Sequence, residues 1–225
     1  MYKRMGFPRA TGLFGAAASM LMLSTAALAG PKADIGWFDL SAELGAALPT
    51  GSGITASQVE GPESGDYAPN TGHSQFAGKT ITLKSGASGA SSHATNVGIR
   101  FYGDPGSVAP DVDVIDSYEV NDWVGSGFLN AGTASPPLTE VRDVANHSWA
   151  STGNNTEINQ RFDYSILIDD YLAEVGQGNS NTSVTDLPGL LGQSYNSISV
   201  GLTNGHHTHG FTEYDGAGRI KPEIT

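Results

Sequence analysis

Strand-like segments alternate with a helix-like segment along this chain. Residues 79–84 alternate polar and apolar side chains, and residues 111–116 and 194–201 also have strand character. Residues 159–175 place apolar side chains near helical spacing in their first half, whereas the second half fits a helix or a buried strand. This order predicts an α/β fold with a mostly parallel central sheet, in which ligands bind at the carboxyl ends of the strands.

Composition excludes several classes of function. Lys and Arg number 11 against 23 Asp and Glu, a formal net charge of −12, so the surface lacks the positive charge that a nucleic acid needs. There is no cysteine, which excludes disulfides, cysteine-ligated zinc, iron–sulfur clusters and thiol catalysis. With 30 glycines and 38% hydrophobic residues, we expect a folded, loop-rich domain.

The first 29 residues have the pattern of a signal peptide. Lys3, Arg4 and Arg9 precede an apolar run at residues 13–23, and residues 27–29 (Ala-Leu-Ala) fit a cleavage site. The run is short for a membrane span, which needs about 20 residues. We therefore expect residues 30–225 to form a secreted or periplasmic protein that has no membrane association after cleavage.

Two polar residues lie at the ends of predicted elements, where catalytic side chains are often found: one at the start of a helix and one at the end of a strand. His93 lies between a Gly/Ser-rich stretch and an apolar run, where a helix N-terminus would favour the neutral imidazole of a general base. Glu60 ends a strand-like run and could orient a histidine. Taken alone, His93 also fits an ordinary structural histidine, and Glu60 also fits an ordinary solvated acid.

Two further loops contain candidate binding residues. Asn179 follows Gly178 in a turn-like segment, and its side-chain N–H could stabilise an oxyanion, although asparagine is common in plain turns. Ser148, Trp149 and Ala150 follow residues 144–147 (Val-Ala-Asn-His).

From about residue 50 onward the chain resembles the subtilisin-like serine peptidases. Residues 53–60 resemble the strand that ends in the catalytic Asp of that family, and residues 92–98 (Ser-His-Ala-Thr-Asn-Val-Gly) resemble its Gly-His-Gly-Thr-His-Val-Ala-Gly motif. Residues 146–149 resemble the strand that pairs with substrate, and residues 216–224 (Gly-Ala-Gly-Arg-Ile-Lys-Pro-Glu-Ile) resemble a Gly-Arg-x-Lys-Pro-Asp-Ile signature.

The resemblance implies a three-layer fold and a serine endopeptidase acting on polypeptides. His93 would be the general base, Glu60 its orienting acid and Asn179 the oxyanion donor, while Ser148, Trp149 and Ala150 would line the substrate edge. Calcium binding occurs in the family, but no calcium site can be assigned here and no cofactor is expected.

The sequence departs from the family pattern in three ways. Glu60 stands where Asp is usual, with Asp66 as the fallback acid, and Ala94 and Asn96 replace Gly and His. The third departure is that the sequence ends at Thr225, before the segment that holds the nucleophilic serine in the family. We therefore expect an incomplete peptidase domain, inactive by itself. The alternative is a secreted non-catalytic domain that binds peptides or a partner.

Two polar clusters contain side chains of the types that bind metal ions. His206, His207 and His209 lack the helical His-x-x-x-His spacing and fit a polar loop. Glu60, Glu63 and Asp66 do not form a compact calcium loop. No metal site is predicted.

Overall fold

A computed structural model describes residues 30–151, 153, 155–178, 189–203, 212–213 and 220–225. Its helices are α1 (Pro31–Asp34), α2 (Trp37–Leu44), α3 (Ser92–Phe101), α4 (Val120–Asp122) and α5 (Thr156–Asp169). Its strands are β1 (Thr55–Glu60), β2 (Thr80–Leu83), β3 (Val114–Glu119), β4 (Val144–His147), β5 (Leu172–Gly176), β6 (Ile198–Val200), β7 (Thr212–Glu213) and β8 (Ile220–Lys221).

Six of the strands form one sheet in the order β2-β3-β1-β4-β5-β6, and each neighbouring pair is parallel. Strands β7 and β8 form a separate antiparallel pair. The predicted α/β class with a parallel central sheet is confirmed.

Helix α5 packs on one face of the sheet. Ile158, Phe162 and Ile166 on this helix bury their side chains against Val59 of β1 and Val175 of β5. Removing a side chain such as Phe162, which is fully buried, typically costs about 3–5 kcal/mol. The Asn155 side chain caps the helix by accepting from the Ile158 amide, and Asp170 ends it in a left-handed conformation.

Helix α3 covers the opposite face over β2, β3 and β1. Ile99, Phe101 and the following Tyr102 pack with Ala56 of β1 and Ile115 of β3. The two helices on opposite faces give the three layers that the resemblance implied.

The structure also resolves the ambiguity of residues 159–175. The helix ends at Asp169 and the chain then enters β5, so the second half contains a strand. That strand lies inside the sheet, between β4 and β6, and its side chains alternate in burial because Ala173 and Val175 face the core with α5 while the others point to the opposite face.

Two strands lie differently from their predicted bounds. The strand expected at residues 111–116 runs over Val114–Glu119, because the Lys79 ammonium binds the carbonyls of Pro110 and Val112 and holds that part in a turn. The strand expected at residues 194–201 is limited to Ile198–Val200. Asp163 of α5 accepts hydrogen bonds from the amides of residues 195 and 196, which keeps this part out of the sheet.

Candidate functional site

Glu60 and His93 lie in direct contact. Glu60 is the last residue of β1, and its side chain is fully buried. His93 is the second residue of α3, and its Nδ1 atom lies 2.9 Å from Glu60 Oε2. The imidazole is half-exposed, with 55% of its side-chain surface open to solvent. The carboxylate is therefore shielded while the ring remains accessible from outside.

The start of α3 is fixed by a capping serine and a nearby glutamate. Ser91 is the N-cap, and its hydroxyl accepts from the Ala94 amide at 3.0 Å. Glu63 accepts from the amides of Ser92 at 2.7 Å and His93 at 3.1 Å. These amides would otherwise be unsatisfied at a helix N-terminus, where a negative charge is also favoured. The backbone of His93 is thus tied to the loop that follows Glu60.

The two glutamates have opposite electrostatic environments. The His93 amide and the hydroxyls of Ser92 and Ser91 lower the pKa of Glu63 to about 2, so this side chain is ionised. Burial raises the pKa of Glu60 to about 7, although its contacts with Gln58 and His93 act in the opposite direction.

The contact sets the direction of the imidazole hydrogen bond. At a pH above about 7 Glu60 is ionised and its carboxylate can only accept, so His93 Nδ1 then donates to it. A neutral ring that holds its proton on Nδ1 has its lone pair on Nε2, and Nε2 can then accept a proton from another group. The arrangement can therefore perform general base chemistry.

Asp66, the fallback acid, lies elsewhere in the hydrogen-bond network. Its Oδ1 accepts from the Gly89 amide at 2.6 Å, and its backbone pairs with that of Glu63. No described contact joins Asp66 to the His93 ring. Of the two acids considered from the sequence, Glu60 is the one that contacts the imidazole.

A cleft of about 420 Å³ borders His93. It lies at the carboxyl ends of β4, β5 and β6, where the rule for parallel sheets places ligands. Ser148, Trp149 and Ala150, which the sequence analysis placed on a substrate edge, all line it. Its other lining residues are Val97, Gly176, Gln177, Gly178, Val200, Gly201 and Leu202. Asn179 lies outside the described residues, as do His206, His207 and His209.

The Trp149 side chain is hydrogen-bonded to a buried histidine that the sequence analysis did not single out. His147 is completely buried between Trp123 and Phe162, and its Nδ1 accepts from Trp149 Nε1 at 3.3 Å. Burial lowers the pKa of His147 to about 3, which keeps the ring neutral. The sequence held one signal, because alternation along β4 places His147 on the same face as the buried Ala145.

Among the described residues, no group of three or more metal-ligating side chains could hold an ion. Within the same parts of the chain, no helix has the length and apolarity required to cross a bilayer.

Known proteins match this chain in structure but not in sequence. No protein-family model matches the chain, and no curated protein has a matching sequence. Solved structures that match include the prenylagaramide maturation protease PagA (14% identity, TM-score 0.49) and a protease from Pseudoalteromonas arctica (16%, 0.49). A third is the epidermin leader peptide processing serine protease EpiP from Staphylococcus aureus (11%, 0.48).

These matches extend over most of the chain but only part of the other proteins. The aligned regions cover 71%, 72% and 78% of this chain, and 59%, 61% and 52% of the respective solved chains. The chain thus spans about half to three fifths of the proteases that it matches. At these TM-scores the matches do not assign the family.

Proposed function

We propose that this chain is part of a secreted serine endopeptidase that hydrolyses polypeptides by acyl transfer. The observation that supports this most is the contact between buried Glu60 and half-exposed His93, whose side chain borders the cleft. An imidazole that is bound by a carboxylate at one nitrogen can take a proton at the other nitrogen, and this arrangement activates a serine hydroxyl.

In the proposed reaction His93 carries a proton from the serine hydroxyl to the leaving amine in two steps. Its Nε2 takes the proton from a serine hydroxyl as the serine Oγ bonds to the carbonyl carbon of the substrate. The imidazolium then gives this proton to the leaving amine nitrogen as the carbon–nitrogen bond breaks, and Glu60 stabilises the charged ring in between. In the second half of the reaction His93 takes a proton from water as the water oxygen bonds to the acyl carbon, and it gives this proton to the serine Oγ as the ester bond breaks.

We propose that the nucleophile of this reaction is a serine outside the described residues. No described serine is hydrogen-bonded to the His93 ring. A second cavity of about 460 Å³ opens beside α3, between Val97 and Arg100 on the helix and Asn146 and Glu174 on the sheet. Among the described residues no helix covers β4, β5 and β6 on this face. Parallel sheets are normally covered on both faces, so this surface has room for an additional segment.

We propose that the substrate backbone lies along Ser148, Trp149 and Ala150 as an added strand. This edge lines the same cleft as His93, so a peptide bond placed there would lie next to the base. Asn179, one residue beyond the cleft-lining Gly178, is proposed as the donor to the oxyanion. Residues 1–29 are proposed to direct export to the periplasm or the medium.

A second candidate is a domain that binds peptides without cleaving them. The specific observation in its favour is that the cleft is present while no described serine is hydrogen-bonded to the His93 ring. Such a protein would bind an extended peptide and release it unchanged.

Labelling with a fluorophosphonate separates the two candidates. The oxygen of an activated serine bonds to the phosphorus and displaces fluoride, and the product is a stable phosphonyl ester of the serine. We expect the complete gene product to be labelled on one serine, and the His93→Ala variant not to be labelled. Asn96→Ala, at an exposed position of the same helix that does not line the cleft, is the control and should be labelled like the wild type. A wild-type protein that binds peptides but takes no label would support the non-catalytic candidate.

A further inference from the structure

Gln58 connects Glu60 to the helix that contains His93. Its Nε2 atom donates to Glu60 Oε1 at 2.7 Å and to the Ala94 carbonyl at 2.9 Å. Ala94 follows His93 in the first turn of α3. One buried amide therefore contacts both the carboxylate and the helical turn that holds the imidazole.

The orientation of this amide is determined by its partners. The Ala94 carbonyl can only accept, so the atom of Gln58 that faces it must be the nitrogen. The oxygen then faces Tyr102, whose hydroxyl donates to Gln58 Oε1 at 2.6 Å. A flipped amide would place its oxygen against two acceptors. The Ala94 carbonyl and the Glu60 carboxylate therefore fix the orientation of the amide, and the Tyr102 hydroxyl binds the oxygen that faces away from them.

Tyr102 is itself held in a fixed place. Its ring is fully buried and packs against Phe76 with ring centroids 5.2 Å apart. Burial, with Glu60 nearby, raises the pKa of Tyr102, which keeps the hydroxyl protonated as a donor. Gly98 of α3 leaves the space for this hydroxyl, because a Cβ atom at position 98 would lie 2.6 Å from it.

We propose that Gln58 and Tyr102 are positioning residues that hold the Glu60 carboxylate in place for His93. Glutamate has one more side-chain torsion than aspartate, so its carboxylate needs an additional restraint to face a fixed ring. With Oε1 bound by Gln58, Oε2 is left to face His93 Nδ1. The catalytic consequence of this restraint rests on the proposed function, whereas the hydrogen-bond chain itself does not.

Nitrogen NMR of histidine-labelled protein tests the proposal without any need for activity. At a pH above the pKa of Glu60 the wild type should show His93 as one tautomer, with its proton on Nδ1. Gln58→Met keeps the length of the side chain and removes its hydrogen bonds. We expect exchange of the Nδ1 proton with solvent to become at least about tenfold faster, the factor that corresponds to losing a hydrogen bond to a charged group.

Tyr102→Phe removes a single oxygen atom and is the second test if Gln58→Met does not fold. It should change His93 exchange in the same direction by a smaller factor. Gly98→Ala, which displaces the tyrosine hydroxyl, should do the same. The matched control is Tyr171→Phe, which removes another buried tyrosine hydroxyl, bound to Ser165 in the core beneath α5. This control should leave the His93 signals unchanged.

Two results would overturn the proposal. One is unchanged tautomer and proton exchange of His93 in folded Gln58→Met or Tyr102→Phe protein, and the other is an equal change in the Tyr171→Phe control. If the complete protein proves active, Gln58→Met should lower kcat and leave KM unaltered, since Gln58 does not line the cleft. An inactive wild type with the expected NMR changes would contradict the proposed function but not the role of Gln58 and Tyr102.

Discussion

Nδ1 of His93 lies 2.9 Å from Oε2 of Glu60, although the two residues are 33 positions apart in the sequence. The strand that ends at Glu60 and the helix that begins at Ser92 bring them to the same edge of the sheet. The carboxylate is fully shielded from solvent and the imidazole is half-exposed. This asymmetry favours a ring that exchanges protons with a bound molecule while its partner stays in place.

Replacing Glu60 by glutamine should remove the charge that orients the ring. We expect Glu60→Gln to lower kcat of the complete protein by about 10⁴-fold, because an amide can hold the imidazole in the wrong tautomer and cannot stabilise its cation. The measurement is steady-state hydrolysis of an unstructured protein such as casein, with circular dichroism to confirm folding. A rate within tenfold of the wild type would show that Glu60 does not orient the base.

Shortening Glu60 tests whether its length matters on this backbone. In Glu60→Asp the carboxylate retreats by one methylene, so we expect it to lose the contact with Nδ1 and kcat to fall. Glu140→Asp is the matched control, because Glu140 is also a buried carboxylate but binds the Ser57 hydroxyl and the amides of residues 141 and 142. The control should lose stability while it keeps its rate. Full activity of Glu60→Asp would contradict the need for the longer side chain.

Glu63 should stabilise the start of α3 in a pH-dependent manner. Its pKa is lowered from 4.5 to about 2 in the folded state, so its stabilising effect is complete above about pH 4.5 and is lost as the pH falls towards 2. We expect Glu63→Gln to lower Tm at neutral pH, with the difference from wild type shrinking on acidification. Glu43→Gln, at an exposed position of α2, is the control and should leave Tm unchanged. A constant difference across this pH range would contradict the assignment.

His147 should make the protein sensitive to acid. The folded state lowers its pKa from 6.5 to about 3, so the unfolded chain binds one more proton than the folded chain between these values. The free energy of unfolding should therefore fall by up to about 1.4 kcal/mol per pH unit on acidification through this window. Glu60 acts in the opposite sense between about pH 4.5 and 7, since its pKa is raised.

Comparison with a variant isolates the effect of His147. Asparagine at position 147 does not titrate and offers an acceptor for the Trp149 indole. We expect His147→Asn to be less stable overall and to have a flatter dependence of unfolding free energy on pH, measured by denaturant titration. Parallel curves for the variant and the wild type would contradict a buried neutral histidine.

Much of the fold could be predicted from local patterns. The strand-like run before Glu60 and the helix start at His93 needed only residue type and periodicity. Strand bounds were less predictable, because a lysine at position 79 and an aspartate at position 163 bind backbone groups at distant parts of the chain. Such competition for backbone hydrogen bonds leaves no local trace in the sequence.

The residues that hold Glu60 and Trp149 in place were harder to predict from the sequence than Glu60 and His93 themselves. Gln58 is a polar residue inside a buried strand, which is a signal in itself, but its partner Tyr102 lies 44 positions away. His147 likewise depends on aromatic neighbours from two other elements. These contacts arise from packing, which a single sequence does not reveal.

Hydrolysis of casein by the complete gene product and by its His93→Ala variant tests the central claim most directly. If His93 is the general base, kcat/KM should fall by at least about 10⁴-fold in the variant while its circular dichroism stays unchanged. A folded His93→Ala protein that hydrolyses casein within tenfold of the wild-type rate would contradict the account.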